Sequence, residues 1–473
     1  MSEKRTHREE YLYLPALTHD AALLAWGAFF FKVKQDDGRE KWELLDDDDL
    51  REKAGRKQSI GERAEPYAAQ ATVLVTEIGT GATHTHTVTV NRANHALVRG
   101  LKPDTEYSYR VVVHEAGGNE HEWAAGQLYD WDVQGDEPTM KKSTRSYQNR
   151  FRTFPAPHLP ATSLRFAVLG DFGRGIRKRS SAPRCQREVA EALDQAFADQ
   201  PFRFIVTTGD NIYAKTFLGI PTSSSGDEDD DWFFTYFQPY RYLLNRVPVF
   251  PVIGNHDDDE NEHPVDRLQI YDNLYLRLQA RDLQLDAVFD HGLLYRFRFG
   301  AEVEFVMLDT SKGRGGKLHF EFPQNQSFIA RAFSTANAPR WRIPVSHHPA
   351  YCAGPRHGNT ESLRAFLQQH GAAAGIRVSF SGHEHNFQFS CDEAGVAHFL
   401  TGGGGKFRES EPDDFQKAKT QVWGGNNEGH FLLVDINGNE MSVTPFGHLH
   451  GNELRPIAIN HVTGNQRTPP FRV

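Results

Sequence analysis

Three histidine pairs in the chain have a spacing that could present two imidazoles to one metal ion. They lie in the stretches THTHT (83–87), SGHEHNF (381–387) and FGHLHGN (446–452). Imidazole is a common ligand of divalent transition metals, but a histidine pair alone is more often an ordinary surface feature. A pair that binds a catalytic metal should therefore be accompanied by further ligands from elsewhere in the chain.

Potential metal ligands follow the apolar strands that the pattern predicts in the second half of the chain. The strand ends carry, in chain order, Asp171, Asp210, the triplet Asn255-His256-Asp257, the pair His347-His348, and the pair His383 and His385. In α/β sheets, ligands bind beyond the carboxyl ends of the strands, so these side chains are expected to converge on one crevice. Any one of them alone could be a helix cap or a surface residue, but their joint occurrence predicts a site.

The set of donors suits two metal ions rather than one. It comprises Asp171, Asp210, Tyr213, Asn255, His347, His383 and His385. A carboxylate such as Asp210 can bridge two ions, and each ion then has about four protein ligands. Coordination positions remain for water and substrate, as a catalytic site requires.

The order of these blocks resembles the calcineurin-like metallophosphoesterase superfamily and, within it, the purple acid phosphatases. The matching blocks are GDFG (170–173), GDNIY (209–213), GNHD (254–257), HHP (347–349) and GHEH (382–385), and the later LTGGGG (400–405) is similar to a glycine-rich turn of that family. The resemblance implies a four-layer α/β/β/α metallophosphoesterase sandwich, and it selects His383 and His385 as the metal-binding pair.

The resemblance also implies which metals bind. Most metallophosphoesterases carry a histidine in the first block where this chain has Gly173, whereas GDNIY adds Tyr213. Phenolate is a hard anionic donor that favours a trivalent ion. The resemblance therefore implies an Fe(III) site and a site for a divalent ion, which is Fe, Zn or Mn. The Fe(III) ligands would be Asp171, Asp210, Tyr213 and His385, and the divalent ligands Asp210, Asn255, His347 and His383.

The reaction implied is the hydrolysis of a phosphate ester. A metal-bridged or Fe(III)-bound hydroxide would attack phosphorus in line, while the cations neutralise charge on the phosphoryl oxygens. His256 resembles the family's phosphate-contacting histidine, and His357 resembles a second histidine that follows the His-x-Pro block; both would assist the leaving group. For His357, an ordinary exposed loop histidine is the alternative.

Three functions are compatible with this sequence. The leading hypothesis is a phosphomonoesterase of the purple acid phosphatase type. The first alternative is a phosphodiesterase, or a nucleotide or polyphosphate hydrolase, on the same metal core; the basic loop at 174–184 could attract a polyanion, or could simply be solvated. The second alternative is a non-catalytic adhesion or binding protein with a degenerate phosphatase domain.

The first third of the chain has a different pattern. Short β-branched and aromatic stretches alternate with turns, and LVRGLKPDTEYSYRVVV (97–113) resembles a fibronectin type III strand with its tyrosine corner. The Pro-rich stretch FRTFPAPHLP (151–160) predicts a joint. We therefore expect a fibronectin III-like β-sandwich over residues 1–157 and the catalytic domain over residues 158–473.

Composition limits the partners. The net charge of −9 and the pI of about 6.2 argue against a nucleic-acid binder, and the longest apolar run, residues 21–31, is too short to span a membrane. The three cysteines imply no disulfide framework, and the N-terminal stretch shows no export signal. These features favour a cytoplasmic location, and the family resemblance implies a small phosphorylated substrate. They do not determine its oligomeric state.

The two remaining histidine pairs are predicted to be dispensable for metal content. His84 and His86 share one face of a predicted strand in the β-sandwich. His448 and His450 follow the stretch 431–446, which reads as a hairpin around an Asn-Gly turn.

Overall fold

The protein is described by a computed structural model. The structure describes residues 6–36, 39–44, 70–89, 94–114, 118–134, 137–160, 163–178, 185–213, 216–217, 220–221, 232–257 and 265–473. The chain folds into two compact units. The first comprises Met1–Phe154, Ile176–Arg184 and Gly226–Pro248, and the second comprises Pro155–Gly175, Cys185–Ser225 and Val249–Val473. The predicted boundary after residue 157 lies close to the first change of unit, and two later segments group with the first unit.

Strands make up most of the regular structure. The strands of the first third are β1 (Thr6–Leu17), β2 (Ala21–Asp36), β3 (Arg39–Leu44), β4 (Gln70–Glu77), β5 (Thr83–Thr89), β6 (His95–Arg99), β7 (Glu106–His114), β8 (Glu120–Glu122), β9 (Tyr129–Gln134), β10 (Glu137–Lys142) and β11 (Arg150–Arg152). They are followed by β12 (Ser163–Leu169), β13 (Arg177–Lys178), β14 (Ile205–Thr207), β15 (Thr216–Phe217), β16 (Ile220–Pro221), β17 (Val249–Phe250), β18 (Asp286–Val288), β19 (Leu294–Phe299) and β20 (Val303–Leu308). The last are β21 (Trp341–Ser346), β22 (Val378–Ser381), β23 (Phe387–Cys391), β24 (Ala397–Thr401), β25 (Thr420–Gly424), β26 (Phe431–Asn437), β27 (Glu440–Phe446), β28 (Ile459–His461) and β29 (Phe471–Arg472).

The helices are short. The α-helices are α1 (Cys185–Asp199), α2 (Gln238–Leu244), α3 (Val265–Asn273), α4 (Leu276–Asp282), α5 (Gln326–Ala332) and α6 (Glu361–His370). A π-helix (Phe233–Phe237) precedes α2, and 3-10 turns occupy Arg314–Gly316, His319–Glu321, Pro323–Asn325 and Ala372–Ala374. Over the described part of the chain, none of these helices has the length and apolar character that crossing a bilayer requires.

The first unit is built mainly from antiparallel sheets. Strand β2 lies between β1 and β3 and also pairs with β6, while a second sheet has the order β11-β7-β4-β5 with β8 beside β7. Side chains along β4 and β7 alternate between buried and less buried, as strands with one face on a core require. The predicted strands in this region are therefore observed.

A tyrosine corner is present in the first unit. The hydroxyl of Tyr107, at the start of β7, accepts a hydrogen bond of 2.9 Å from the backbone N–H of Lys102. The loop before the strand is fixed further by Thr153, whose hydroxyl donates to the carbonyl of Lys102 over 2.6 Å. The predicted Tyr-to-loop hydrogen bond is thus observed, whereas the fibronectin type III assignment of the whole unit stays a prediction.

Removing the corner hydroxyl should destabilise the first unit modestly. In Tyr107→Phe the ring stays buried but the N–H of Lys102 loses its acceptor, which costs about 1 kcal/mol. Urea unfolding of the variant, monitored by tryptophan fluorescence, should show a lower midpoint, because Trp26 and Trp131 are buried in this unit. An unchanged midpoint would mean that solvent satisfies the N–H equally well.

Two sheets form the framework of the second unit. One has the order β17-β14-β12-β26-β27-β29, and the other has the order β18-β19-β20-β21-β22-β24-β23-β25-β28. Strands β12, β14 and β17 are mutually parallel, and α1 connects β12 to β14 as the crossover that parallel neighbours require. In the second sheet, β20, β21, β22 and β24 are parallel. The mixed α/β fold is as predicted.

An aromatic layer joins the two sheets. The ring of Phe166 on β12 lies 5.0 Å from that of Phe305 on β20 and 6.0 Å from that of Phe380 on β22, between centroids. On the opposite face of β20, Val306 and Leu308 belong to an apolar cluster that includes residues of α5 and α6. Because every residue of β20 is buried, both faces of this sheet are covered. The ends of the parallel strands are therefore held by a rigid core.

Candidate metal centre

The seven predicted ligands lie at the carboxyl ends of parallel strands from both sheets. Asp171, Asp210 and Asn255 follow β12, β14 and β17, which are neighbours in the first sheet. His347 follows β21, and the pair His383 and His385 follows β22, its neighbour in the second sheet. Tyr213 is buried in the loop after β14. The structure brings all seven side chains together.

Three of the seven side chains form a first contact group. The hydroxyl of Tyr213 donates to Oδ1 of Asp171 over 3.3 Å and lies 3.4 Å from Nε2 of His385. Nε2 of His385 is in turn 3.5 Å from Oδ1 of Asp171. These three donor atoms face one another in a triangle, which is the arrangement expected of ligands around a common ion.

A second contact group is centred on Nε2 of His347. This nitrogen lies 2.9 Å from Oδ1 of Asn255, 3.0 Å from Nδ1 of His383 and 3.4 Å from Oδ1 of Asp210. One ring nitrogen cannot make a hydrogen bond to all three, so the separations indicate convergence on a common point. Ligands held roughly 2.0–2.1 Å from a tetrahedral ion are about 3.3 Å apart. The side chains therefore fit a metal ion at this position.

Asp210 connects the two groups. Atoms of Asp171, Asp210 and His347 that could each bind a metal lie within 4.8 Å of one another. These separations place Asp210 next to a member of each group, Asp171 of the first and His347 of the second. The donor set as a whole, with two carboxylates, a phenol, an amide oxygen and three imidazoles, fits a dinuclear centre with one shared carboxylate.

A backbone contact fixes the orientation of His347. Its Nδ1 lies 2.8 Å from the carbonyl oxygen of Thr208, which can only accept a hydrogen bond. The proton must therefore be on Nδ1, which leaves the lone pair of Nε2 directed towards the second group. Such a contact to the far side of a ligating imidazole is usual at metal sites and sets the tautomer.

The loops that carry the ligands have unusual backbone conformations. Asp171, Asp210 and His383 have φ values of +54°, +50° and +72°, in the left-handed region that non-glycine residues rarely occupy. A Cβ on Gly209 would lie 2.5 Å from Nδ1 of His347, and one on Gly382 would lie 2.4 Å from Oδ2 of Asp171. The glycines of the motifs are therefore required by close approach. Strain of this kind concentrates at functional sites.

The two buried carboxylates have opposite pKa shifts. Burial, followed by the neighbouring charge of Asp210, raises the pKa of Asp171 well above its usual value. Burial also acts to raise the pKa of Asp210, but His347 and His256 outweigh it and lower that pKa. In the metal-free protein the pair thus avoids two uncompensated negative charges, as carboxylates that share a site generally do.

The two histidines predicted to assist the leaving group both lie at the centre, one beside each contact group. The ring of His256 lies 4.6 Å from that of Tyr213, and the ring of His357 lies 3.8 Å from that of His383, between centroids. Burial, followed by Arg408, lowers the pKa of His357 to about 4, so this imidazole is neutral above that pH in the metal-free protein. His357 is half-buried rather than an exposed loop residue.

His348 faces a different neighbour from His347. Its Nδ1 lies 3.2 Å from the hydroxyl of Thr310, and its backbone N–H donates to the same hydroxyl over 2.9 Å. Its ring is 4.3 Å from that of His383, between centroids. His348 therefore supports the ring of His383 from beside the second group.

Sequence reasoning missed the role of Asp257. This buried carboxylate accepts hydrogen bonds from the backbone N–H of Gly254 over 2.8 Å and of Ile212 over 2.9 Å. It also accepts from the side-chain amide of Asn211 over 2.8 Å. Asp257 therefore ties the GDNIY loop to the GNHD loop. Its place in the GNHD block was visible in the sequence, but its partners in the GDNIY loop lie more than forty residues away in the chain.

Two cationic side chains near the centre were also missed. The ammonium of Lys406, directly after the glycine-rich turn, lies 4.2 Å from the centroid of the Tyr213 ring. Burial lowers its pKa, and the carboxylates of Asp210 and Asp171 act to raise it. The guanidinium of Arg408 pairs with the fully buried Glu384, which stands between His383 and His385. Positive charge therefore adjoins the first group.

Comparison with known proteins identifies this part of the chain. Residues 164–387 match the model of the family described as Calcineurin-like phosphoesterase. The match covers just under half of the chain and shows that this region is similar to the calcineurin-like phosphoesterases. Every one of the seven converging side chains lies inside the matched region of this phosphoesterase domain.

Curated relatives are acid phosphatases. The chain is 27% identical over 313 residues to rat (Rattus norvegicus) tartrate-resistant acid phosphatase type 5, a match that covers 60% of this chain and 87% of the rat protein. It is 24% identical over 311 residues to purple acid phosphatase 4 of Arabidopsis thaliana, covering 60% of this chain and 80% of that protein.

Solved structures share the fold over nearly the whole chain. The structure of PhoD has a TM-score of 0.60 at 12% identity and covers 95% of this chain and 88% of its own. Purple acid phosphatase PPD1 from yellow lupin (Lupinus luteus) seeds has a TM-score of 0.57 at 13% identity and covers 96% of this chain and 74% of its own. At these identities the likeness concerns the fold alone.

Loss of the Asp257 carboxylate should loosen the centre without removing a ligand. In Asp257→Asn, one acceptor oxygen becomes an amide that faces N–H groups, which should lower the free energy of unfolding by about 1–3 kcal/mol. Because the GNHD loop would no longer be fixed, bound divalent metal measured after dialysis should also fall.

The exposed carboxylate of Asp290 provides the matched control. Asp290→Asn should leave both the metal content and the unfolding midpoint unchanged. Unaltered metal content and stability in Asp257→Asn would contradict its role as the link between the two loops.

Proposed function

We propose that this protein hydrolyses phosphate monoesters at a dinuclear metal centre held by Asp171, Asp210, Tyr213, Asn255, His347, His383 and His385. The observation that carries the proposal is the division of these side chains into two contact groups that meet at Asp210. The same division follows from the motif resemblance, which used no distances. The calcineurin-like phosphoesterase domain supports the hydrolysis of phosphoric esters.

The first group is proposed to hold Fe(III) and the second a divalent ion, which is Fe, Zn or Mn. Tyr213 is the reason for the trivalent assignment. Burial, followed by the charge of Asp171, raises the pKa of its phenol well above the usual value, so a strongly acidic metal is needed to hold the phenolate. When bound, the two ions would supply Lewis acidity towards water and the phosphoryl group.

His256 and His357 are proposed to contact the substrate. They stand beside different contact groups, so a phosphate bound across both groups could reach both imidazoles. Neutral imidazole donates one N–H to a phosphoryl oxygen, and the protonated form can also transfer a proton to the leaving oxygen. The backbone N–H of His256 is already used, because it donates to Oδ1 of Asp210 over 3.0 Å.

The monoester is preferred to the other substrates on the evidence of the relatives. The rat and Arabidopsis proteins are named as acid phosphatases, and this chain covers most of their length. The first alternative is a phosphodiesterase, or a nucleotide or polyphosphate hydrolase. The same metal core could serve these reactions as well as monoester hydrolysis. Residues 179–184 of the basic loop lie outside the described part of the chain. The set of donors is complete, which argues against a degenerate, non-catalytic binding protein.

Two further assignments are proposed. A fibronectin III-like N-terminal domain is supported by the tyrosine corner at Tyr107. A cytoplasmic location is supported by the free thiols of Cys352 and Cys391, which are the cysteines with described side chains.

Activity assays should test the metal centre and the substrate class together. Wild-type protein should hydrolyse p-nitrophenyl phosphate faster than bis(p-nitrophenyl) phosphate, and Asp171→Ala should reduce the first activity to background. Asp290→Asn serves as the control for loss of a carboxylate away from the centre. A strong preference for the diester would favour the phosphodiesterase, and an active Asp171→Ala would contradict the assignment of the centre.

The colour of the purified protein should test the Fe(III) assignment. A phenolate bound to Fe(III) absorbs visible light by charge transfer, so the protein should be coloured and Tyr213→Phe should be colourless. Tyr351→Phe is the matched control, because that hydroxyl instead accepts a hydrogen bond from Gln368 over 3.0 Å. A colourless wild type containing only Zn or Mn would refute Fe(III) but leave the hydrolase proposal intact.

A further inference from the structure

A second cluster of metal-ligating side chains lies outside the seven residues of the centre. Glu428, His448 and His450 each offer a ligand atom, and these atoms all lie within 4.8 Å of one another. Nδ1 of His448 is 3.3 Å from Oε2 of Glu428, and the two imidazole rings are 4.6 Å apart between centroids. We propose that these three residues form an additional binding site for a divalent transition metal, with zinc as the expected ion.

The topology of the last hairpin explains why the three residues meet. Strands β26 and β27 are antiparallel, and Phe431 at the start of β26 pairs with Phe446 at the end of β27. The loop that enters the hairpin and the loop that leaves it therefore emerge at the same end. Glu428 lies in the entering loop, and the histidine pair lies in the leaving loop.

One backbone N–H orients the Glu428 carboxylate towards His448. The N–H of Ala458 donates to Oε1 of Glu428 over 3.3 Å, which leaves Oε2 facing His448. A Cβ on Gly447 would lie 3.0 Å from Oε2 of Glu428, so the glycine leaves room for this carboxylate. A hydrogen bond to the far oxygen of a ligating carboxylate is a recurrent feature of metal sites.

The turn that carries His450 is also fixed. The backbone N–H of His450 donates to the carbonyl of Glu453 over 3.0 Å, and the N–H of Glu453 donates back over 3.2 Å. The Glu453 carboxylate is paired with Arg455 and so is engaged elsewhere. The His-x-His segment is therefore positioned by its own backbone.

The chemistry of the cluster selects the class of metal. Two imidazoles and one carboxylate are the donors that zinc accepts in sites with three protein ligands, where water fills the remaining position. Hard ions such as Mg²⁺ prefer all-oxygen surroundings and are disfavoured by two imidazoles. The side chain of Glu428 is 23% exposed and that of His448 is 37% exposed, so an ion could enter directly from solvent.

The sequence analysis predicts that the FGHLHGN pair is dispensable for metal content. A zinc site at this hairpin would instead make the pair necessary for full metal content. The expectation considered the two histidines alone, because Glu428 stands twenty residues before His448 in the sequence. The pair at His84 and His86 has the same spacing but belongs to no such cluster among the described residues. It therefore offers a control with the same number of imidazoles.

Metal analysis of the full-length protein should test the site. Protein already loaded at its dinuclear centre is dialysed against zinc chloride, and bound zinc is counted by mass spectrometry. Wild type should bind one more zinc ion per chain than the double variant His448→Ala/His450→Ala. The control double variant His84→Ala/His86→Ala should bind as much as wild type. Phosphatase activity should be equal in all three, because none of the four histidines belongs to the proposed catalytic centre.

A conservative variant guards against misfolding of the double variant. Glu428→Gln keeps an oxygen to accept from Ala458 but loses the charge, and it should weaken zinc binding at least about tenfold in isothermal titration. Equal zinc uptake by wild type and the His448/His450 variant would overturn the proposal, as would unchanged affinity in Glu428→Gln. The readout is independent of catalysis, so failure of the proposed hydrolase function would be seen separately.

Discussion

The burial of two carboxylates within a few ångströms of each other is the constraint on which the centre depends. Asp171 and Asp210 are 0% and 1% exposed, and an uncompensated buried charge costs several kcal/mol. The backbone N–H of His383 donates to Asp171 over 2.9 Å, and that of His256 donates to Asp210 over 3.0 Å. Each backbone donor belongs to a different motif block from the carboxylate that accepts its hydrogen bond. The need to stabilise charge therefore ties GDFG to GHEH and GDNIY to GNHD.

The same constraint explains why the loops tolerate strained backbone. A left-handed residue other than glycine costs about 1–3 kcal/mol at a functional site. At Asp171 and His383 this conformation coincides with the hydrogen bond that joins them, and at Asp210 it coincides with the contact to His256. The strained backbone is therefore found at the residues that make the hydrogen bonds between the motif blocks.

Much of the centre could be predicted from the sequence because its ligands follow strands. Apolar runs and glycine turns are local patterns, so Asp171, Asp210 and His347 were recognisable at strand ends. The roles of Asp257 and Lys406 were not recognisable, since the partners of these residues are distant in the chain. The grouping of Gly226–Pro248 with the first unit was also unpredictable: it involves the buried Arg241, which pairs with Glu9 over 3.0 Å and with Asp130 over 3.0 Å. Local patterns do not encode such pairings.

The three histidine pairs show what a two-residue spacing can and cannot determine. In β5 the chain is extended, so His84 and His86 lie on one face of a strand and meet no third ligand group among the described residues. At His383 the backbone is left-handed, and the pair diverges: His383 contacts His347, while His385 contacts Asp171 and Tyr213. After β27 the two rings stay together, and the register of the hairpin brings Glu428 beside them. The spacing provides two imidazoles close together in the chain. Backbone conformation and non-local register decide whether the pair can bind no ion, one ion or two ions.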